Sequence, residues 1–253
     1  MTRSEKSRQR PRHGSHTKSK RLWIYGLHAV AAALANPRRA RHKVLLTANA
    51  LKAISAPESP HETTNPQDIT KALPPGAVHQ GAALATDPLP DLSIEDIFTG
   101  ADSDLVLVAD QVTDPQNIGA ILRSCAAFGA KALILQARHS PPLSGALAKA
   151  ASGALEHVPV ILVTNLARAM DELGELGFTR LGLAEEGGSL LSAQAANCSG
   201  PTALVLGAEG TGMRRLTREK CDALVRLPTS ATQPSLNVSN AAAVALYELV
   251  REV

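Results

Sequence analysis

The sequence has very few aromatic residues. Phe, Tyr and Trp together make up 2% of its 253 residues, as three Phe, two Tyr and one Trp. Modules that bind single-stranded nucleic acid commonly stack the bases on exposed aromatic rings. The scarcity of aromatic residues argues against a platform for base stacking, so any contact with nucleic acid must depend on charge and on backbone shape.

Cysteine is also scarce, and its spacing suits neither cross-links nor metals. Cys125, Cys198 and Cys221 are odd in number and far apart, with no Cys-x-x-Cys pair. We therefore expect no disulfide framework and no metal site, and a reducing cytoplasm is the simplest location. Cys125 and Cys221 fall within apolar helical patterns, which predicts that both pack in the core.

Long apolar runs are missing as well. No run approaches the ~18 residues that a membrane helix requires, so no membrane partner is expected. A hydrophobic content of 44% with a mean hydropathy near zero predicts a globular chain, and its 253 residues suffice for one large or two modest domains.

The first 21 residues are basic and almost free of apolar side chains. They contain eight Lys or Arg and a single acidic residue, Glu5. This composition predicts a disordered tail. Three functions are open for it: none, electrostatic contact with RNA, or a mitochondrial presequence, although Pro11 and Gly14 would break the helix that a presequence needs.

A small α/β domain is predicted at residues 22–87. Its expected strands are 22–25, 44–47 and 81–86, and its expected helices are 26–36 and 65–72. The loop 38–43 carries Arg38, Arg39, Arg41, His42 and Lys43, which either face solvent or contact phosphate. Prolines and acidic residues then predict a linker at 88–103.

A larger domain is predicted at residues 104–253. Expected strands lie at 105–109, 131–136, 160–163, 180–184, 203–206 and 223–227, and expected helices at 118–128, 144–155, 166–176 and 238–250. Alternation of strand and helix favours an α/β fold with a mainly parallel sheet.

Unusual loops follow the last two strands of this domain. The first is Gly207-Ala208-Glu209-Gly210-Thr211-Gly212, where glycines allow either a tight turn or close approach of the backbone to a ligand. The second leads from Pro228 to Ser235-Leu236-Asn237. No Gly-x-Gly-x-x-Gly follows the first strand of the domain, so a dinucleotide-binding fold is not indicated.

Three ordered segments carry a family resemblance. They are DQVTDPQNIGAILRS at 110–124, LVLGAEGTGMRRLTREKCDALVRLP at 204–228 and SLNVSNAAAVALYEL at 235–249. Together they resemble the signature motifs of the SpoU (TrmH-like) RNA ribose methyltransferases of the SPOUT superfamily. The likeness is strongest to members that methylate guanosine in 23S rRNA.

The resemblance implies a fold and a set of site residues. We expect a C-terminal trefoil knot preceded by a small L30e-like RNA-binding domain, and S-adenosylmethionine (SAM) as cofactor. Cofactor contacts are expected at Gly207, Leu227 and Leu236. Arg123 is expected to activate the 2'-hydroxyl or stabilise its oxyanion, with support from Asn117, Glu209, Ser235 and Asn237.

Several alternatives remain open beside these expectations. Asn117, Ser235 and Asn237 could simply cap helices. The loop 229–234 lacks the glycine that we expect in the family, which puts its geometry in question. The substrate could be tRNA, or the chain could be an RNA-binding protein without activity. Finally, the helix 238–250 is apolar on nearly every face of its first turns, which suits a homodimer or burial within one chain.

Overall fold

A computed structural model describes residues 21–54, 60–196, 198–230, 232 and 235–251. These residues form a four-stranded sheet and a seven-stranded sheet with helices on their faces. The predicted α/β class is thus confirmed. Except for Arg21, the predicted basic tail lies outside the described residues.

The smaller sheet has the strand order β1-β4-β2-β3, and β4 runs antiparallel to both β1 and β2. Its strands are β1 Leu22–Tyr25, β2 Lys43–Leu46, β3 Glu62–Thr63 and β4 Ala82–Thr86. Its helices are α1 Leu27–Ala35, α2 Ala48–Ala53 and α3 Pro66–Ala72. Side-chain oxygens of Thr47 and Asn65 cap α2 and α3, which sets where these short helices begin.

The larger sheet has the order β7-β6-β5-β10-β8-β11-β9, and every described pair in it is parallel. Its strands are β5 Leu105–Ala109, β6 Ala132–Gln136, β7 Val160–Val163, β8 Thr179–Leu183, β9 Ser189–Leu190, β10 Thr202–Leu206 and β11 Ala223–Arg226. The helices of this part are α4 Ile94–Ile97, α5 Pro115–Ala127, α6 Gly145–Ala150, α7 Leu166–Glu175, α8 Leu191–Ala195, α9 Arg215–Glu219 and α10 Val238–Val250, with short 3-10 helices at Ala137–His139 and Ala154–Glu156.

Both faces of the larger sheet are covered. Leu105 and Leu107 of β5 point to a core that contains residues of α5, α6, α8 and α10. Val106 and Val108 point to the opposite core, which contains residues of α4 and α7. Burial on both sides explains why these strands read as continuous apolar runs rather than alternating ones.

Two helix predictions need correction. Helix α5 begins at Pro115 rather than at residue 118, because Asp114 caps it and proline suits the first helical position. The helix predicted at 144–155 ends as α6 at Ala150, because Ser152 and Gly153 take positive φ values of 50° and 96°. Neither conformation can continue a right-handed helix.

The segment predicted as a linker packs onto the larger sheet. A Ser93–Asp96 capping box starts α4, and Ile94 of that helix is 1% exposed. The ring of Phe98 lies 5.5 Å from that of Phe178, centroid to centroid. This segment therefore belongs to the core on that face.

The smaller sheet packs directly against the larger part of the chain. One core cluster contains Ile24 and Leu84 from the first sheet together with Leu147 and Leu155 from the second part. At Gly145, an added Cβ would lie 2.1 Å from the carbonyl oxygen of Trp23, so α6 and β1 approach backbone to backbone. The two parts thus share buried apolar surface.

The arginine loop contributes an ion pair to this contact. Arg39 donates from Nε to both carboxylate oxygens of Glu156 at 3.0 and 2.9 Å, and both side chains are 2% exposed. Asn36 donates to the same carboxylate at 2.8 Å. The suggestion that Arg39 contacts phosphate is therefore wrong, because its charge is buried against the second part of the chain. Arg38 is exposed.

The domain bounds and the threading of the C-terminal segment stay predictions. The C-terminal segment contributes two strands to the larger sheet, of which β10 is central and β11 lies beside β8. Helix α10 then packs on α5.

Candidate active site

The two unusual loops meet at the carboxyl ends of β8, β10 and β11. They enclose a cavity of about 620 Å³, here called the large cavity. Gly207, Leu227 and Leu236, the three residues expected to contact a cofactor, all line it. The carboxyl edge of a parallel sheet is where open α/β folds commonly bind ligands.

Residues 207–213, here called the glycine loop, fold back on themselves. Ala208 and Gly212 exchange backbone hydrogen bonds of 3.1 and 2.9 Å. A Cβ on Gly207 would lie 2.1 Å from the carbonyl carbon of Gly212 and 2.2 Å from the nitrogen of Met213. Glycine is thus required at position 207, since no side chain fits between the two limbs of the loop.

Glu209 connects the tip of the glycine loop to the start of α10. Its Oε1 accepts hydrogen bonds from Nδ2 of Asn237 and, at 3.1 Å, from the backbone N–H of Val238. Asn237 also donates to Oδ1 of Asn117, at 3.0 Å. Three of the predicted site residues, Asn117, Glu209 and Asn237, therefore form one hydrogen-bonded cluster across the three sequence motifs.

Asn237 also caps α10, which confirms the capping interpretation, while its role in the active site stays a prediction. Its Oδ1 accepts from the backbone N–H of Ser239 at 2.9 Å and from that of Asn240 at 3.4 Å. Asn117, by contrast, lies inside the first turn of α5, which Asp114 caps. The capping interpretation is therefore wrong for Asn117.

Arg123 lies outside this cluster. It is an exposed residue of α5, and its side chain makes no hydrogen bond or ion pair with any residue that the structure describes. Ser235 is exposed at the large cavity. The glycine-free loop is described only in part, because Ala231, Gln233 and Pro234 lie outside the described residues; Ser230 and Thr232 contact each other through their hydroxyls at 3.1 Å.

The rim of the large cavity carries charges that the sequence analysis did not single out. Arg218 donates to the carboxylate of Glu186, and this hydrogen bond holds the pKa of Glu186 below its usual range. Arg226 lies on the same rim and is exposed. These residues come from β11, from α9 and from the turn after β8, a combination that no local sequence pattern signals.

Sequence reasoning also missed Asp110, which directly follows β5 and is 0% exposed. Its carboxylate forms an ion pair with Arg214 at 2.7 Å and accepts a hydrogen bond from the hydroxyl of Thr217, also at 2.7 Å. A charged residue at the end of an apolar strand, inside a motif, was the available signal.

The cysteines take no part in the site. All three are free thiols, and burial raises the pKa of Cys125 to about 12 and that of Cys221 to about 11. Among the described residues, no group of three or more His, Cys, Asp or Glu could hold a metal ion. Within the same residues, no helix has the length and apolar character that a bilayer crossing demands.

Two family models match the chain. The model described as "SpoU rRNA Methylase family" matches residues 104–247. The model described as "RNA 2'-O ribose methyltransferase substrate binding" matches residues 23–92. The two matched regions correspond to the larger and the smaller sheet with their helices.

Curated relatives are similar over most of the chain. The 23S rRNA (guanosine-2'-O-)-methyltransferase RlmB of Ralstonia nicotianae is 40% identical over 243 residues, which cover 92% of this chain and 97% of that protein. RlmB of Escherichia coli K12 is 40% identical over 240 residues, which cover 90% of this chain and 98% of that protein.

Solved structures share the fold. The SpoU methyltransferase AviRb from Streptomyces viridochromogenes, in complex with the cofactor AdoMet, superposes with a TM-score of 0.77 at 23% identity, over 95% of this chain and 93% of that one. A putative RNA methyltransferase of the TrmH family from Porphyromonas gingivalis gives a TM-score of 0.74 at 25% identity, over 90% and 89% of the two chains.

Proposed function

The chain belongs to the SpoU rRNA methylase family, and on that ground we propose that it transfers a methyl group from SAM to the ribose 2'-hydroxyl of a guanosine in 23S rRNA. The observation that carries the proposal is the large cavity, at which the glycine loop meets Leu227, Thr229 and residues 235–237. The relatives named for this activity align along nearly their whole length, so both parts of the chain are included.

The cavity suits SAM in size and in chemistry. A volume of about 620 Å³ lies within the ~300 to 1,000 Å³ range of small-molecule sites. Its wall joins apolar side chains, including Leu206, Leu227 and Leu236, to a glycine backbone that a ligand can approach closely. In this proposal Gly207, Leu227 and Leu236 hold the cofactor, which when bound supplies an electrophilic methyl group on a sulfonium.

Methyl transfer to a ribose hydroxyl requires help from the protein. A 2'-hydroxyl is a very weak acid, so its proton must leave as the new bond forms, and the growing negative charge must be stabilised. Arg123 has a guanidinium with no partner in the described part of the chain, and it is exposed to an incoming RNA. Since arginine keeps its proton, we assign it to phosphate positioning and to stabilisation of the oxyanion.

The Asn117, Glu209 and Asn237 cluster holds the site together. Glu209 fixes the tip of the glycine loop to α10, and Asn237 links both to α5, the helix that carries Arg123. In this way the arginine-bearing helix and the cofactor loops keep a fixed relation. Ser235, on the cavity wall, is proposed to contact the ribose.

We further propose that the chain acts in the cytoplasm as a homodimer. Val244, Tyr247 and Val250, at a spacing of three residues on α10, are 46, 54 and 42% exposed. The ring of Tyr247 lies 6.2 Å from that of Phe128, the residue that caps the C-terminus of α5, so the apolar patch extends from α10 to the end of α5. An exposed apolar patch of this kind is typical of an interface, and a two-fold axis would let it cover itself. The domain at 22–87 is proposed to bind the RNA.

A transfer assay with mapped products tests the function. Purified protein, labelled SAM and rRNA from cells that lack this protein should give labelled 23S rRNA, and 2'-O-methylation mapping should locate one guanosine. Label found in tRNA and absent from 23S rRNA would favour the tRNA alternative. If the protein binds RNA and transfers no label to either, a non-catalytic RNA-binding role would replace the proposal.

A further inference from the structure

Asp110 joins the two ends of the glycine loop. Its backbone N–H donates to the carbonyl oxygen of Leu206, the residue before the loop, at 2.8 Å. Its carboxylate Oδ2 accepts from the backbone N–H of Arg214, the residue after the loop, at 3.0 Å. The residues on either side of the loop, Leu206 and Arg214, are therefore both hydrogen-bonded to Asp110. Asp110 itself does not line the large cavity.

The remaining partners of Asp110 fix the segment that follows the loop. Oδ1 accepts from Nε of Arg214 at 2.8 Å, and Oδ2 accepts from the hydroxyl of Thr217 at 2.7 Å. The carboxylate is fully buried, so water cannot replace a lost partner. A buried carboxylate is strongly dependent on such partners, because an unpaired charge in the interior is very unfavourable.

Besides Asp110, the side chain of Met213 holds the base of the glycine loop, since it is 5% exposed and packs in the core. Inside the loop, Ala208 and Gly212 pair through their backbones and the N–H of Thr211 donates to the carbonyl oxygen of Glu209 at 2.9 Å, and the Glu209 side chain attaches the tip to α10. The three glycines of the loop, Gly207, Gly210 and Gly212, give the unfolded loop many accessible conformations. If the free protein does not already order this loop, ligand binding must do so, and the entropy lost in that step lowers the affinity for the ligand.

We propose that Asp110 is a positioning residue for SAM, which acts by closing the base of the glycine loop before the cofactor arrives. The inference rests on the proposed function, because it presumes that SAM occupies the large cavity. It assigns to Asp110 no contact with the cofactor or with the RNA. Its effect is on the affinity for SAM and on the rigidity of residues 208–212.

Substitution of the carboxylate tests the idea. Asp110→Asn should weaken SAM binding in calorimetry about tenfold, because the asparagine amide has one accepting oxygen where the carboxylate has two. The KM for SAM should rise in parallel, while kcat at saturating SAM and the affinity for rRNA should stay within about twofold. Amide hydrogen exchange at Ala208 and Gly212 should become faster, while the β10 amides keep their protection.

A milder pair of variants guards against a general failure to fold. Thr217→Val removes the hydroxyl while keeping the shape of the side chain, and it should weaken SAM binding; Thr217→Ser keeps the hydroxyl and should bind as the unmodified protein does. Asp222→Asn is the matched control. It removes a carboxylate that pairs with Arg180 at 2.6 Å at the opposite, amino end of β11, away from the large cavity.

The outcomes separate the two proposals. An unmodified protein that does not bind SAM would overturn both. If the unmodified protein binds SAM and Asp110→Asn binds equally well, only the role of Asp110 is lost. The same holds if Asp222→Asn weakens SAM binding as much as Asp110→Asn does, since the effect would then come from general stability.

Discussion

Among the polar residues predicted for the site, Arg123 differs from the others in its surroundings. Asn117, Glu209 and Asn237 bind one another, whereas Arg123 has no hydrogen bond or ion pair with a described residue. Removal of a charged group that the fold leaves unpaired breaks no ion pair or hydrogen bond among the described residues. Arg123 is therefore a position at which activity and stability can be separated by mutation.

Arg123→Ala should lower kcat for methyl transfer by about 10²-fold or more, because the developing oxyanion loses its donor. SAM affinity and thermal stability should be unchanged. Arg123→Lys should also be severely impaired, since an ammonium does not reproduce the planar guanidinium fork. Transfer assays and SAM calorimetry make the comparison.

Arg168→Ala provides the control for Arg123, because Arg168 is an exposed arginine of α7 on the other face of the sheet. It should leave transfer unchanged. Near-normal turnover by Arg123→Ala would remove Arg123 from the mechanism, and substantial activity in Arg123→Lys would show that charge alone suffices.

Gly207 makes a second test at this scale. Gly207→Ala places a Cβ against the Gly212 and Met213 backbone, so the limbs of the loop must separate. Overpacking of this kind costs about 1 to 3 kcal/mol, and we expect SAM affinity to fall about tenfold or more.

Gly188→Ala is the matched variant for Gly207→Ala, because a Cβ there meets nothing within 4 Å. Its SAM affinity should equal that of the unmodified protein. Equal SAM affinity in Gly207→Ala as well would contradict the close approach described at the glycine loop.

At the scale of elements, sequence patterns predicted the long and buried segments well. Helix α10 and strands β1, β5 and β7 have the predicted bounds, because a continuous apolar run between turn residues is a local signal. The short elements α2, α4, α8, α9, β3 and β9 were not predicted. A two-residue strand such as β9 exists only through its pairing with β11, and pairing is not a local property.

The buried ion pair between the loop after α1 and the second part of the chain gives a prediction about stability. Glu156→Gln removes the charge that balances the buried guanidinium of Arg39, and it should lower the free energy of unfolding by about 3 kcal/mol. Denaturant titration measures the change. The control is Glu62→Gln in the exposed Lys43–Glu62 pair, where the expected change is within ~0.5 kcal/mol.

An equal effect of Glu156→Gln and Glu62→Gln would show that the buried pair adds no more than a surface pair does. The sequence offered no means of telling these pairs apart. Arg39 and Lys43 lie in one predicted basic loop, and only the packing of the second part of the chain buries Arg39.

At the scale of the whole molecule, the apolar patch on α10 gives a prediction about assembly. Val244→Glu introduces a charge twice across a two-fold axis and should convert a dimer into monomers, as read by light scattering. SAM affinity should fall too, because Val238 and Ala241 of the same helix line the large cavity. Val78→Glu, at a side chain 59% exposed in the smaller part, should stay dimeric.

A fully active, SAM-binding monomer of the unmodified protein would contradict the dimer. So would a Val244→Glu variant that keeps the mass of a dimer in solution.

The site was predictable only in part at this scale. Family resemblance suggested candidate residues for it. The contact of Asn117 with Asn237, or of Asp110 with Thr217, joins residues more than a hundred positions apart. Local periodicity contains no information about such contacts. Hence the cluster and the closure of the glycine loop become visible only once β10 is seen between β5 and β8.

That central position of β10 has a consequence for synthesis. During translation β5, β6 and β7 emerge as neighbours, yet the strand that completes the other side of β5 follows roughly ninety residues later. At a synthesis rate of ~5 to 20 residues per second, β10 emerges on the order of ten seconds after β5, and the edge of β5 stays unpaired during that time. Until then an apolar parallel edge is open in the nascent chain, and no cofactor site exists. Strand β10 and helix α10 must therefore leave the ribosome before the enzyme that is proposed to modify ribosomal RNA can begin to work.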